Sequence, residues 1–245
     1  MKISEGICLL GMSPMRADSS ERSEMVSQLL FGDSFSVLRE KGAWLYIRTH
    51  ADDYAGWVSA NMVALGVSAR GRQTVVSVPF IACRILPDSI TIHLPGGSIL
   101  PEQPFEYAGK TYMPENIPEG TGREVVSLAE QYLGAPYLWG GKTVFGTDCS
   151  GLVQVICRMA GKWLPRDAGM QEKCGTPTVY EDASRGDIAF FADEHGKVIH
   201  TGFLCGDGSI LHASGCVRKD RFDAKGIFNT TENKYTHSLY SIKKM

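Results

Sequence analysis

One cysteine and two histidines are the residues of this chain whose types and order suit covalent chemistry. Cys149 lies in the run Gly-Thr-Asp-Cys-Ser-Gly, and His200 and His212 follow in two short apolar stretches. A cysteine nucleophile needs an imidazole base, and the base needs a second polar group to orient it. If Cys149 begins a helix, the helix dipole favours its thiolate, so we expect its pKa to lie below the usual value of about 8.5.

The residues after Cys149 have the spacing of one helix face. Apolar side chains recur at steps of four, three and four, and they are Leu152, Ile156, Met159 and Trp163. This period predicts an α-helix that begins at the cysteine and ends near Gly161.

The two histidines lie in predicted strands that the chain joins by a tight turn. The strands cover 198–205 and 209–213, and an Asp-Gly pair between them is typical of a hairpin. Neighbouring antiparallel strands bring His200 and His212 together, one to act on Cys149 and one to orient the first.

Two other interpretations of these residues stay open. Cys149 can be a small apolar residue at a tight corner between a strand and a helix. The cysteine and the two histidines can also hold zinc, because three nitrogen or sulfur ligands suffice for a catalytic site. A thiolate mechanism uses the same placement, so we expect neither a metal ion nor a cofactor.

The order of motifs resembles the NlpC family of papain-like cell-wall cysteine peptidases. The matching positions are Tyr137, Trp139, Asp148-Cys149-Ser150-Gly151, Arg166-Asp167, Gly186-Asp187, His200-Thr201-Gly202 and His212. The match is firm from about residue 120 to 245 and looser before that. The resemblance implies that Cys149 attacks a carbonyl, His200 relays the proton and His212 holds His200 in the right tautomer. It also implies that the Tyr137 hydroxyl and the Cys149 backbone N–H meet the oxyanion.

Within this family the chain is most similar to the dipeptidyl-peptidase VI type. That type has amino-terminal barrels and cuts between γ-D-glutamate and L-lysine or meso-diaminopimelate in stem peptides with a free L-alanine amine. The resemblance implies that an acid and an aromatic residue of the first barrel close the groove, with Glu24 and Tyr54 as candidates. It implies that Arg166 binds the D-glutamate carboxylate and Asp167 the amine. The remaining implied substrate contacts are Trp139, Asp148 and Ser150, and Asp148 is equally a candidate helix cap.

Two other functions are compatible with the sequence. The protein can be a non-catalytic wall-binding module, although an intact cysteine and histidine set favours catalysis. It can also be an amidase or acyltransferase on the same scaffold, because spacing and composition do not separate these from a peptidase. The partners we expect are peptidoglycan-derived stem peptides.

Composition narrows the class of protein. The chain is 43% hydrophobic and 21% charged with a formal net charge of −2, and it has no basic block, so nucleic acid is not an expected partner. No apolar run approaches the roughly 20 residues that span a bilayer, so we do not expect the protein to span or bind a membrane. The first residues lack the features of a secretion signal, which predicts a cytoplasmic protein unless a leader was removed. The seven cysteines include no Cys-x-x-Cys pair and suit a reducing compartment.

The predicted fold class is α+β, with a papain-like catalytic domain after two small all-β barrels. Residues 1–66 alternate in short strands and resemble a bacterial Src-homology-3-like barrel. Residues 67–115 repeat the all-β character and predict a second, divergent barrel, with a linker over 114–118. Residues 116–245 place helices before antiparallel strands, which is typical of an α+β domain.

Overall fold

The structure is a computed structural model of the 245-residue chain, and it describes residues 4–67, 73–101, 105–117 and 124–245. The last residue of the expected linker, Pro118, lies outside these ranges. The helices are α1 (Val125–Glu130), α2 (Cys149–Met159) and α3 (Ala168–Gln171), with 3₁₀ turns at Ala60–Met62 and Tyr180–Asp182.

Twenty-two strands are present among the described residues. Those of the amino-terminal half are β1 (Ser4–Ile7), β2 (Met12–Arg16), β3 (Met25–Leu30), β4 (Ser34–Lys41), β5 (Trp44–Thr49), β6 (Ala55–Ser59), β7 (Ala64–Leu65), β8 (Thr74–Val75), β9 (Phe80–Leu86), β10 (Ile90–Pro95), β11 (Ile99–Leu100), β12 (Phe105–Tyr107) and β13 (Lys110–Pro114). Those of the carboxyl-terminal half are β14 (Lys142–Thr143), β15 (Gly146–Thr147), β16 (Thr176–Thr178), β17 (Ile188–Ala192), β18 (Val198–Leu204), β19 (Ser209–Ser214), β20 (Cys216–Asp223), β21 (Gly226–Asn229) and β22 (Lys234–Lys244).

The first seven strands form one antiparallel sheet in the order β3-β2-β6-β5-β4-β1-β7. Alternation places every second side chain of β4 and β5 inside, where Phe35, Val37, Leu45 and Ile47 are buried. The Tyr46 and Trp57 rings pack 5.2 Å apart across β5 and β6. This is the barrel-like sheet that the alternating strands predicted.

The segment predicted as a second barrel shares its core with the first sheet. Its described strands pair in the order β10-β9-β13-β12, and β8 pairs with β11. Leu94 and Leu100 of this segment pack in one hydrophobic cluster with Ile7 and Phe31 of the first sheet. The Phe31 and Tyr112 rings lie 5.7 Å apart. Apolar side chains from both sides of the boundary near residue 66 therefore pack in one hydrophobic core.

The carboxyl-terminal part packs helices against a strongly paired sheet. Its order is β16-β22-β17-β18-β19-β20-β21, and β22 also pairs with β21, so β17 to β22 form a closed ring. Helix α2 packs on β18 and β19 and all its residues are buried. The helix ends before Trp163, which is half exposed with the Arg158 guanidinium over its ring, so the prediction that Trp163 extends the apolar face is wrong.

Polar contacts fix the first sheet against the outer side of α2. Arg158 of α2 forms a buried ion pair with Asp33, and Gln154 donates to Asp52 at 2.7 Å. The Lys142 backbone N–H donates to the Gln28 side chain at 2.8 Å.

Within the described ranges, no helix is long and apolar enough to cross a membrane.

Candidate active site

Cys149 is the first residue of α2, as the sequence predicted. The preceding Asp148 is the helix cap, because its Oδ1 atom accepts from the Gly151 N–H at 2.7 Å. A side chain at Gly151 would place its Cβ atom 2.0 Å from the Gly141 carbonyl oxygen, so only glycine fits there. The Asp-Cys-Ser-Gly run therefore has a cap, a nucleophile candidate and a residue that permits close packing of the corner.

The environment of Cys149 differs from the sequence prediction. Burial raises the pKa of the Cys149 thiol to about 11, and the Asp148 carboxylate adds to this increase. Hydrogen bonds from the Ser150 and Thr201 backbone and the charge of Arg166 oppose it without offsetting it. The expectation of a lowered pKa is wrong, because the helix terminus that stabilises a thiolate is also desolvated.

Alkylation of Cys149 in the free protein should therefore keep accelerating as the pH rises above 8.5. The thiolate is the reactive species, and with a pKa near 11 its fraction increases about tenfold per pH unit. Iodoacetamide labelling followed by peptide mass spectrometry measures this for Cys149 separately from the more exposed Cys174 and Cys216. A rate that is already constant from pH 6 would show a preformed thiolate.

The two predicted histidines meet as neighbours on adjacent strands. The Nε2 atom of His200 on β18 lies 2.8 Å from the Nδ1 atom of His212 on β19, with the rings nearly perpendicular. Both side chains are buried. Gly202 pairs with His212, and a Cβ atom at Gly202 would lie 2.8 Å from that of His212, so the glycine gives the imidazole room.

Burial also sets the charge of the histidine nearest the nucleophile. Desolvation holds the pKa of His200 well below its usual value, and nearby His212 and His237 disfavour a second positive charge. The backbone of Thr201, the next residue, hydrogen-bonds the Cys149 thiol, so the thiol lies against the strand that carries His200. At neutral pH the resting pair is a thiol and a neutral imidazole.

Sequence reasoning missed two residues that touch the histidine pair. His237 on β22 stacks on His200 with ring centroids 4.2 Å apart, and burial lowers its pKa to about 4. Asp220 on β20 places its Oδ2 atom 3.1 Å from the His212 Nε2 atom. The alternating pattern of 216–223 predicts a strand after His212. It was the one signal in the sequence for the position of Asp220. That strand pairs directly with β19, whereas the position of His237 depends on the return of β22 to the sheet.

Both ring nitrogens of His212 are therefore engaged, one with His200 and one with Asp220. A zinc ion bound by the cysteine and both histidines would need one of these nitrogens. Among the described residues no group of three or more His, Cys, Asp or Glu side chains is arranged to hold a metal ion. The donor set does not fit the zinc interpretation.

A groove of about 890 Å³ runs past Cys149. The first sheet and the carboxyl-terminal part both contribute to its wall, whereas no described residue of 73–117 does. The predicted substrate contacts that line it with Cys149 are Glu24, Tyr54, Trp139, Asp148, Ser150, Arg166 and Asp167. His200 and His212 lie buried behind this wall.

Arg166 is held in a buried network beside the nucleophile. It is 2% exposed, its Nη2 atom lies 2.5 Å from Asp148 Oδ2, and its Nη1 atom donates to Ser150 Oγ at 2.9 Å. Its terminal nitrogens are thus already used, so a substrate carboxylate would have to share them. Direct contact of Arg166 with substrate stays a prediction.

Removing one partner of this pair should strongly destabilise the fold. Asp148→Ala leaves a buried guanidinium without its carboxylate and removes the α2 cap, and we expect a loss of about 3–5 kcal/mol in the free energy of unfolding. Urea denaturation followed by tryptophan fluorescence measures it. Glu115→Ala breaks an exposed pair with Arg84 and is the control, with an expected loss of about 0–1 kcal/mol. Similar losses for both variants would contradict the prediction.

The first sheet reaches the groove at one end. The Glu24 Oε1 atom accepts from the Trp139 indole N–H at 2.6 Å, which links two residues that are far apart in sequence. The Tyr54 hydroxyl is in hydrogen-bonding contact with Asp167. Burial raises the pKa of Asp167, and the carboxylates of Asp148 and Asp52 act in the same direction. Two acids of the groove wall are thus each in contact with an aromatic side chain.

Tyr137 is half-buried beside the nucleophile. Desolvation raises the pKa of its hydroxyl to about 12, and a negative charge on Cys149 or Asp148 acts in the same direction. The hydroxyl therefore keeps its proton at neutral pH and can donate a hydrogen bond. The described hydrogen bonds of α2 give Asp148 the N–H groups of Gly151 and Leu152, which leaves the Cys149 N–H as a second donor.

Known proteins are similar to this chain in sequence. Residues 134–239 match the NlpC/P60 family, and residues 15–62 match the bacterial dipeptidyl-peptidase Sh3 domain. A gamma-D-glutamyl-L-lysine dipeptidyl-peptidase of Bacillus subtilis is 28% identical over 242 residues, which cover 89% of this chain and 80% of the relative. A protein of that name from Bacillus cereus is 26% identical, over 78% of this chain and 68% of its own.

A solved structure extends the likeness to the whole fold. The crystal structure of an NlpC/P60 family protein from Bacillus cereus covers 98% of this chain and 99% of its own with a TM-score of 0.81, at 18% identity. The likeness therefore includes the segment between the two matched regions. The chain carries an NlpC/P60 family domain of papain-like fold, preceded by a bacterial dipeptidyl-peptidase SH3 domain.

Proposed function

We propose that this protein is a cysteine peptidase that cuts peptidoglycan stem peptides between γ-D-glutamate and the diamino acid, L-lysine or meso-diaminopimelate. It releases L-Ala-γ-D-Glu from peptides with a free amino-terminal L-alanine. The observation that carries this proposal is Cys149 at the start of α2, open to a groove and backed by the His200–His212 pair. The names of the Bacillus relatives support the bond and the free terminus.

The neutral resting pair indicates how the first step proceeds. Because Cys149 and His200 both disfavour charge when buried, the thiol proton moves to His200 as the sulfur attacks the γ-carbonyl carbon of D-glutamate. The Cys149 N–H and the Tyr137 hydroxyl donate to the oxyanion that develops. His200 then gives the proton to the leaving amine, and water hydrolyses the thioester with His200 as base.

Two acids in the groove wall support selection for a free amine. A buried ammonium needs carboxylate partners, and Glu24 and Asp167 both line the groove. Burial raises the pKa of Asp167 even though the charge of Arg166 opposes the increase. An alanine ammonium beside this carboxyl group would further favour its ionised form.

Digestion of defined peptides tests the proposal. The protein is incubated with L-Ala-γ-D-Glu-L-Lys and with L-Ala-γ-D-Glu-meso-diaminopimelate, and mass spectrometry identifies the products. We expect L-Ala-γ-D-Glu from at least one peptide and none with Cys149→Ala. Release of intact stem peptide from a muramyl peptide, with neither tripeptide cleaved, would instead support an amidase. Binding without any cleavage would support a wall-binding module.

A further inference from the structure

We propose that Asp220 is a positioning residue that sets the tautomers of both histidines through His212, with Arg218 fixing the orientation of its carboxylate. The proposal rests on the proposed function for its kinetic consequence and on geometry for its structural one. Asp220 lies on β20, which pairs with the strand that carries His212. Its side chain is 7% exposed, so the contact with His212 is largely shielded from water.

The chain of contacts determines where each proton lies. Asp220 Oδ2 is 3.1 Å from His212 Nε2, and an ionised carboxylate only accepts, so this nitrogen carries the hydrogen. In neutral His212 the Nδ1 atom then has none and accepts from His200 Nε2 at 2.8 Å. His200 is left with an unprotonated Nδ1 atom, which is the state that a base for the Cys149 thiol requires.

Arg218 keeps Asp220 ionised, and this arrangement of the histidine protons requires an ionised carboxylate. Its Nη2 atom donates to the other carboxylate oxygen, Oδ1, at 2.6 Å. Hydrogen bonds from His212 and Arg218, together with the charge of Arg218, hold the pKa of Asp220 below its usual value despite burial. When His200 takes the thiol proton at Nδ1, its Nε2–H bond to His212 stays intact. The new positive charge on His200 then lies two hydrogen bonds from the Asp220 carboxylate.

An amide at position 220 should exchange the protonated and unprotonated nitrogens of both His212 and His200. In Asp220→Asn, Arg218 can only donate, so the amide oxygen faces Arg218 and the NH₂ group faces His212. His212 must then accept at Nε2 and carry its hydrogen on Nδ1. That hydrogen points at His200 Nε2, so His200 has to hold its own hydrogen on Nδ1. The base form of His200 becomes a minor tautomer while the packing is nearly unchanged, as when a triad loses its carboxylate charge.

A second substitution should rescue the first. In Asp220→Asn/Arg218→Met the guanidinium no longer dictates the amide orientation, and the Arg218 side chain is 32% exposed. The amide can turn its oxygen to His212 and its NH₂ group to water. We expect Asp220→Asn to lower kcat about 10- to 30-fold with KM little changed, and the double variant to recover to within about threefold. Arg218→Met alone should lower kcat less than threefold.

The experiment combines kinetics with tautomer assignment by ¹⁵N-detected NMR of the histidine rings. Asp223→Asn, at the end of the same strand and outside the histidine network, is the matched control and should keep full kcat. Wild-type His212 should carry its hydrogen on Nε2, and Asp220→Asn should move it to Nδ1. An unchanged kcat in Asp220→Asn, additive losses in the double variant, or wild-type His212 protonated on Nδ1 would each overturn the proposal. The NMR result is independent of substrate, so a protein that cleaves neither tripeptide still tests the tautomers.

Discussion

Replacing His200 with alanine should abolish turnover almost as completely as replacing Cys149. Because burial raises the pKa of the cysteine to about 11, the free thiol has little thiolate at neutral pH and depends on His200 to remove its proton during attack. We expect kcat on a cleavable tripeptide to fall by about 10⁴-fold or more in either variant, with no further loss in the double variant. Single-turnover assays with excess enzyme measure it.

The graded control is His212→Ala. His212 contacts His200 and not the thiol, so this variant should keep a residual rate above that of His200→Ala. If His200→Ala lost less activity than His212→Ala, the base would be misassigned. If chelators removed zinc and activity in equal measure, the thiol mechanism would be wrong.

Local patterns were sufficient for the parts of the site that lie close in sequence. Periodicity placed α2 after Cys149, and alternation with an Asp-Gly turn placed β18 and β19. These elements adjoin in the chain and in the fold, so the pairing of His200 with His212 follows from strand order alone. Three pairings of the first sheet were predictable for the same reason, because β2 with β3, β4 with β5 and β5 with β6 are neighbours in sequence.

Long-range packing accounts for what the sequence did not predict. His237 reaches the histidine pair only because β22 returns to pair with both β17 and β21, and no local pattern encodes that closure. Asp220 lies on β20, which pairs directly with the His212 strand, but the alternating pattern alone did not single it out. The raised pKa of Cys149 depends on the desolvation of its finished surroundings. The shared core of Phe31 and Leu94 likewise depends on how two sheets dock, which no local pattern in either segment encodes.

The second large effect that we expect is a loss of kcat/KM when the amino-terminal amine of the substrate is blocked. If Glu24 and Asp167 pair with the L-alanine ammonium, removal of that charge leaves carboxylates desolvated without a partner. This costs on the order of 1–3 kcal/mol, or about 10- to 100-fold in rate. N-acetylation also adds bulk beside the groove wall that the hydrogen-bonded Glu24 and Trp139 form. We therefore expect kcat/KM for N-acetyl-L-Ala-γ-D-Glu-L-Lys to be about 100-fold or more below that for the free peptide.

Two comparisons separate charge from bulk. An L-lactyl peptide, with hydroxyl in place of ammonium, removes the charge at nearly constant size, and its kcat/KM should fall about 10- to 100-fold. In Glu24→Gln/Asp167→Asn the preference for ammonium over hydroxyl should shrink to less than about threefold, because no carboxylate remains to be left unpaired. The N-acetyl group should still be excluded by the barrel wall. Equal rates on free and N-acetylated peptides would mean that the groove is open at this end, that the first sheet only tethers the enzyme, and that intact peptidoglycan is a substrate.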